Sequence, residues 1–228
     1  MTLSLEEASR TINRRKPNIV WGVGCHPRKK KSQECFQLEL FEELADQTAI
    51  IGEIGLDTGS RVPFTKQLET FRGMLSVLSD LPRIISIHGY QATKQVINEL
   101  RQNPVSTPIL HWWTGTAEET REAVRLGCYF SVHSAVARHS KFHTAVPRER
   151  ILIESDHGWS DPPAAIPCRI EWVEYLLSAQ LNMNADEVRQ LAWQNFKTIV
   201  ESTNTRRLLP ASITTILDSL KPKPQTTL

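Results

Sequence analysis

Six short runs of apolar, β-rich residues recur along the chain, at 19–24, 49–54, 83–88, 107–111, 128–132 and 150–154. Each is apolar almost without interruption, the pattern of parallel strands covered on both faces rather than of strands with one wet face. Between them the hydrophobic period lengthens to that of a helix. Residues 35–46 set Phe36, Leu38, Leu40, Phe41 and Leu44 at roughly helical spacing, and residues 64–81 set Leu68, Phe71, Leu75 and Leu78 on one stripe. Further helices are predicted over 92–101, 116–125, 171–179 and 186–201, and one over 5–15 ahead of the first strand. Thr116-Ala117-Glu118-Glu119 reads as a helix start and Gly127 as its stop. Repeated strand–helix units give either a doubly wound sheet or a β/α barrel, and periodicity alone does not choose between them. A single domain is expected over 1–210, followed by a partly disordered tail at 211–228 ending in Lys221-Pro222-Lys223-Pro224.

Composition changes this picture little. The 228 residues suffice for one large α/β domain, and 40% hydrophobic with 23% charged is ordinary for a globular chain. A formal net charge of +2 is too mild to announce a nucleic-acid binder. Its distribution says more: Arg28, Lys29, Lys30 and Lys31 directly follow Cys25-His26-Pro27, and Arg14, Arg15 and Lys16 precede the first strand. Such runs are usually solvated surface and matter only if they border a site. The four cysteines form no CxxC pair. No signal peptide or membrane-length apolar stretch is read, so a cytoplasmic protein with reduced thiols is expected.

The polar residues decide more than the apolar ones. His26 follows the first strand, Glu53 lies near the end of the second, and His88 and His111 end the third and fourth. His133 follows the fifth, and Asp156 and His157 follow the sixth. In a parallel barrel all strand C-termini open on one face, so side chains far apart in sequence meet there. A lone histidine at a strand end is ordinarily a surface or core residue. Glu53, set among Ile and Gly in a buried strand, is costly unless paired or bound to a cation. Imidazoles and carboxylates together suit a first-row divalent metal, and a bridging carboxylate suits two ions.

Gly24-Cys25-His26-Pro27, Gly52-Glu53-Ile54-Gly55-Leu56-Asp57, Ile87-His88, Leu110-His111-Trp112-Trp113-Thr114-Gly115 and Glu154-Ser155-Asp156, with Asn195-Phe196 in the last helix, resemble in order and spacing the motifs of the TatD family of metal-dependent deoxyribonucleases. The resemblance covers about residues 16–200. It implies a TIM-type β/α barrel and a DNA-cleaving hydrolase using Mg²⁺, Mn²⁺ or Zn²⁺, two ions being expected. It assigns Glu53 as the bridging carboxylate, His88 and His111 as ligands, and Asp156 as a ligand and acceptor of the attacking water's proton. His26 would lie near the scissile phosphate outside the metal's own ligands, and Asp57 would hold the strand-two loop. Arg28 to Lys31 would sit on the loop at the catalytic face, where positive charge favours a phosphate backbone, and His157 would add a ligand or a phosphate contact. Trp112 and Trp113 would be placed to stack on bases, although packing of one of them against the barrel rim is the stronger expectation.

Two departures stand out. The family's first strand carries a His-x-His, and nothing upstream of residue 19 matches it. The alignment therefore implies that the first two barrel strands are missing, and six strands would leave apolar edges exposed. A miscalled start, a fragment and a true truncation all fit. In addition, Asp156-His157-Gly158-Trp159 replaces the usual Asp-Ala-Pro, and His133 stands where a small residue is usual. The Ser-Asp-His ending resembles the QatD-like branch found in bacterial anti-phage systems, which implies protein partners in a defence operon. Alternatives are hydrolysis of another ester or amide, or a non-catalytic subunit of a defence complex.

Overall fold

A computed structural model describes residues 1–14, 16–137, 145–157 and 170–220. Its centre is a six-stranded sheet, parallel throughout: β1 (Gly22–Val23), β2 (Ile50–Asp57), β3 (Ile84–Tyr90), β4 (Pro108–Leu110), β5 (Tyr129–Val132) and β6 (Ile151–Ile153). The strands lie in the order of the chain, β1-β2-β3-β4-β5-β6. A doubly wound sheet reverses its order at a switch point, whereas a barrel wall does not, so this order selects the barrel arrangement. Among the described residues β1 and β6 are not paired with each other.

Helices α1 (Leu5–Thr11), α2 (Lys30–Glu34), α3 (Leu38–Asp46), α4 (Phe64–Asp80), α5 (Thr93–Gln102), α6 (Ala117–Arg125) and α7 (Ser134–Ala137) alternate with the strands. After β6 come α8 (Glu171–Leu181), α9 (Ala185–Ser202) and α10 (Ala211–Ser219). Local chemistry explains several boundaries. Thr116 and Glu119 form a reciprocal capping box at the start of α6. At its end Gly127 takes φ +82°, and the bonds Gly127 N to Val124 O and Cys128 N to Ala123 O close a Schellman stop. Asn184 and Glu187 box the start of α9 in the same way.

The chain departs from expectation at both ends. The first helix stops at Thr11, not residue 15. Residues 2–3 run beside the outer edge of β1, where Thr2 N donates to Gly22 O at 2.9 Å and His26 N to Leu3 O at 3.3 Å. Exposed apolar strand edges were expected, yet among the described residues the large exposed hydrophobics include only one strand residue, Tyr90 at the end of β3. The segment expected to begin a tail instead folds as α10. Its Leu217 is fully buried with Ala49, Ile84, Tyr129, Ile199, Val200 and Leu209, and Ile213 and Leu220 pack against the same cluster. Ser212 Oγ donates to Pro17 O, tying α10 to the approach to β1. The Lys221–Pro224 stretch, Gly158, Trp159 and Cys168 lie outside the described residues.

The main core forms from the larger set of strand and helix residues, with Ile51, Ile54, Leu56, Phe71, Ile85, Ile87 and Phe130 all buried. Two glycines permit close strand contact near Glu53. A Cβ on Gly24 would lie 2.5 Å from Gly52 C, and one on Gly55, at φ +133°, would lie 2.1 Å from His88 O. The β2–β3 register shifts between Ile51 and Ile54, and Glu53 sits at that break.

Candidate metal centre

The strand order brings residues from five chain regions to one face. His26 follows β1, Glu53 comes from the break in β2, His88 from β3, His111 directly follows β4, and Glu154 and Asp156 follow β6. Glu53 stands in the middle with its two carboxylate oxygens facing different groups. Its Oε2 lies 3.0 Å from His26 Nε2 and 3.8 Å from His88 Nδ1. Its Oε1 lies 2.8 Å from His111 Nε2, which is in turn 3.8 Å from Asp156 Oδ1. The donors thus fall into two sets sharing Glu53: His26, Glu53 and His88, and Glu53, His111 and Asp156. Imidazole nitrogens and carboxylate oxygens at these separations fit a divalent cation in each set.

Each of the two expected ligand histidines is backed by a carboxylate on its far nitrogen. His88 Nε2 lies 2.8 Å from Asp57 Oδ2, and His111 Nδ1 lies 2.6 Å from Glu154 Oε2. Such partners fix which ring nitrogen is free to bind a cation. Asp57 is completely buried, and its Oδ1 also accepts from Gly59 N at 2.8 Å, so it holds the strand-two loop as well as His88. Glu154 accepts further bonds from Ser131 Oγ at 2.6 Å and Trp112 N at 2.8 Å. Sequence reasoning assigned no role to Glu154 and missed the Asp57–His88 contact. The signal was present: Glu154, like Glu53, is a charged residue at the end of a buried apolar run.

Two residues here hold left-handed backbone, Trp112 at φ +44° and Asp156 at φ +46°. For non-glycine residues this costs roughly 1–2 kcal/mol each, so the surroundings must enforce it. At Trp112 the Glu154 bond to its amide does so, together with ring contact to His133 at 4.2 Å between centroids. Trp113 is the tryptophan that packs into the core, with Nε1 donating to Thr120 Oγ1 at 2.9 Å. Trp112 remains partly buried beside His111. His26 is buried, its Nδ1 accepting from Arg28 N at 3.1 Å, while Arg28 Nε reaches Asp57 Oδ2 at 3.7 Å. His157 is exposed in a turn, and His133 is buried at the end of β5.

The charges respond to this crowding. Burial works to raise the Glu53 carboxyl, but hydrogen bonds from His111 and His26 outweigh it and hold Glu53 well below the usual carboxylate range. Burial works to lower His111, yet Glu154 and Glu53 on either side push it well above 6.5. Protonation of His111 and binding of a cation therefore compete for the same nitrogen beside Glu53. Asp156 moves the other way: burial, then the charges of Glu53 and Glu154, raise it from 3.8 against the pull of His111 and His133.

An arc of parallel strands presenting histidines and carboxylates at their C-terminal ends defines a β/α-barrel protein with a candidate metal centre. The sequence pattern described as TatD-related DNase matches residues 1–201, and the chain belongs to that family. It is 25% identical over 194 residues to the uncharacterized metal-dependent hydrolase YabD of Bacillus subtilis, covering 78% of this chain and 76% of that one. To the human deoxyribonuclease TATDN3 it is 24% identical over 169 residues, 69% of this chain and 62% of that one. The Escherichia coli K12 3'-5' ssDNA/RNA exonuclease TatD is 27% identical over 156 residues, 64% of this chain and 60% of that one. Among solved structures, the TatD homologue YJJV from Escherichia coli K12 superposes with a TM-score of 0.75 at 20% identity, over 87% of this chain and 83% of that one.

Proposed function

We propose that this chain hydrolyses phosphodiester bonds of DNA at a two-cation centre, with Mg²⁺, Mn²⁺ or Zn²⁺ as the ions. The single observation that carries the reading is the division of Glu53, one oxygen facing His26 and His88 and the other facing His111 and Asp156. Family membership and relatives named as nucleases point the same way. His26, placed by sequence outside the metal's ligands, stands among the donors and is assigned to the first set. Bound divalent cations supply a more acidic water and neutralise charge on the phosphate oxygens.

The chain's own residues do the rest. With a cation bound, Asp57 and Glu154 would hold the protons of His88 and His111 on the ring nitrogens away from Glu53, leaving the lone pairs of the nearer nitrogens to the cation. Asp156, whose carboxyl is raised, accepts the proton of the attacking water at its Oδ atoms. Arg28 is assigned to the substrate phosphate, and Trp112 and His157 line the approach. No helix among the described residues is long and apolar enough to cross a membrane.

The test is cleavage of single- and double-stranded DNA with each ion and with chelator, by wild type and Asp156→Asn. Metal-dependent cleavage that drops by orders of magnitude in the folded variant supports the reading. Chelator-insensitive cleavage, or turnover of a lactone or unrelated ester with DNA untouched, overturns it.

A further inference from the structure

The loops that follow β1 and β2 are clasped together beside the centre. Ser60 Oγ donates to Pro27 O at 2.9 Å and accepts from Val62 N at 3.0 Å. Arg28 Nε reaches back to Asp57 at 3.7 Å, and Lys29 N donates to His26 O at 3.0 Å. The clasp ties the loop where the basic run begins to the loop that carries Arg61, and Arg61 lines a surface concavity with Asp57, Thr58 and Ser60. Arg28, Lys29, Lys30, Lys31 and Arg61 are all exposed.

Their pairing separates them from much of the outer shell. Arg72, Arg101, Arg125, Arg189 and Arg206 each pair with Glu or Asp on the helices. Among the described residues Lys29, Lys31 and Arg61 have no such acidic partner, and Lys30 has only exposed Glu34 at 3.7 Å. Unneutralised cations on the clasped loops and the start of α2, beside the loop that also carries His26, make a surface complementary to a polyanion rather than to a small neutral ester.

Resting on the hydrolase reading above, we infer that Lys29, Lys31 and Arg61 form a phosphate track that binds the backbone of a nucleic-acid strand leading away from the scissile bond. A strand held at several phosphates is then bound more tightly than a mononucleotide or isolated diester, which reach only the centre. Backbone contacts of this kind add affinity without sequence preference.

The test is a Lys29→Ala/Lys31→Ala/Arg61→Ala variant assayed on a long single-stranded oligodeoxynucleotide and on bis(p-nitrophenyl) phosphate, over a salt series. The expected result is a raised KM on the oligonucleotide and a log–log salt slope shallower by about 2, roughly 0.7 per lost contact. Turnover of the small diester and thermal stability stay at wild-type values. An unchanged salt slope, or an equal loss on the small diester, overturns the track. If wild type cleaves neither substrate, the hydrolase reading fails instead. Fluorescence anisotropy of the labelled oligonucleotide with wild type and variant still decides the track, equal affinity overturning it.

Discussion

The two histidines that face Glu53 are held in mirrored but unequal ways. His88 presents Nδ1 to the centre and Nε2 to Asp57, whereas His111 presents Nε2 and gives Nδ1 to Glu154. Asp57 divides its charge between His88, a loop amide and, at 3.7 Å, the Arg28 guanidinium. Among the described residues Glu154 pairs with no arginine and is fixed by neutral donors, Ser131 Oγ and Trp112 N, besides His111. A carboxylate whose charge is left to one imidazole polarises it more than one partly neutralised by a cation. The His111 ring is therefore backed by the less neutralised carboxylate, and the His88 side is coupled to the loop that carries Arg28.

That inequality can be broken most directly at the backing carboxylates. Glu154→Ala is expected to lower divalent-metal affinity by about 100-fold and Asp57→Asn by about 10-fold, the two ends of the range for such partners. Calorimetric titration checks it; equal losses, or a larger loss at Asp57, would remove the asymmetry.

A backbone change sharpens it from the other side. Gly55→Ala places a Cβ against His88 O at a φ of +133°, so it should destabilise the fold by about 3 kcal/mol and disturb the His88 side first. Chemical denaturation gives the stability. Metal titration of the folded fraction should show the set containing His88 weakened more than the set containing His111.

The smallest effect is in pH. His111 is raised in the folded chain, so its stabilisation is complete below 6.5 and is lost as pH climbs through the raised value. Glu53 is lowered, so its share is present above 4.5 and lost as pH falls below that. With chelator, the melting temperature should therefore decline as pH rises beyond 6.5, while metal affinity rises over the same interval because a proton leaves His111. Glu154→Gln should flatten both trends. A chelated wild type whose melting point holds steady above 6.5 would count against a protonated His111.

Much of this was readable from sequence for definite reasons. Continuous apolar runs marked all six strands, although β1 shrank to Gly22–Val23 because the flanking Trp21 and Gly24 engage loops. The four principal donors, Glu53, His88, His111 and Asp156, announced themselves as polar residues closing those runs, and the structure brings them together. Glu154 went unassigned because its importance lies in a bond to the unused nitrogen of a residue 43 positions earlier, which no local pattern encodes. Helix α10 was hidden by Ser, Thr and Ile, weak helix formers, although Ile213, Leu217 and Leu220 keep helical spacing. Helix α2 was hidden inside the basic run, where charge drew attention away from period.

Helix α10 closes the end of the sheet opposite the centre, where Leu217 and Ile213 meet the residues that begin the strands. The molecule thus separates endurance from chemistry along its axis. Hydrophobic repacking around Ile213, Leu217 and Leu220 offers a route to a more heat-tolerant protein that leaves the donor geometry alone.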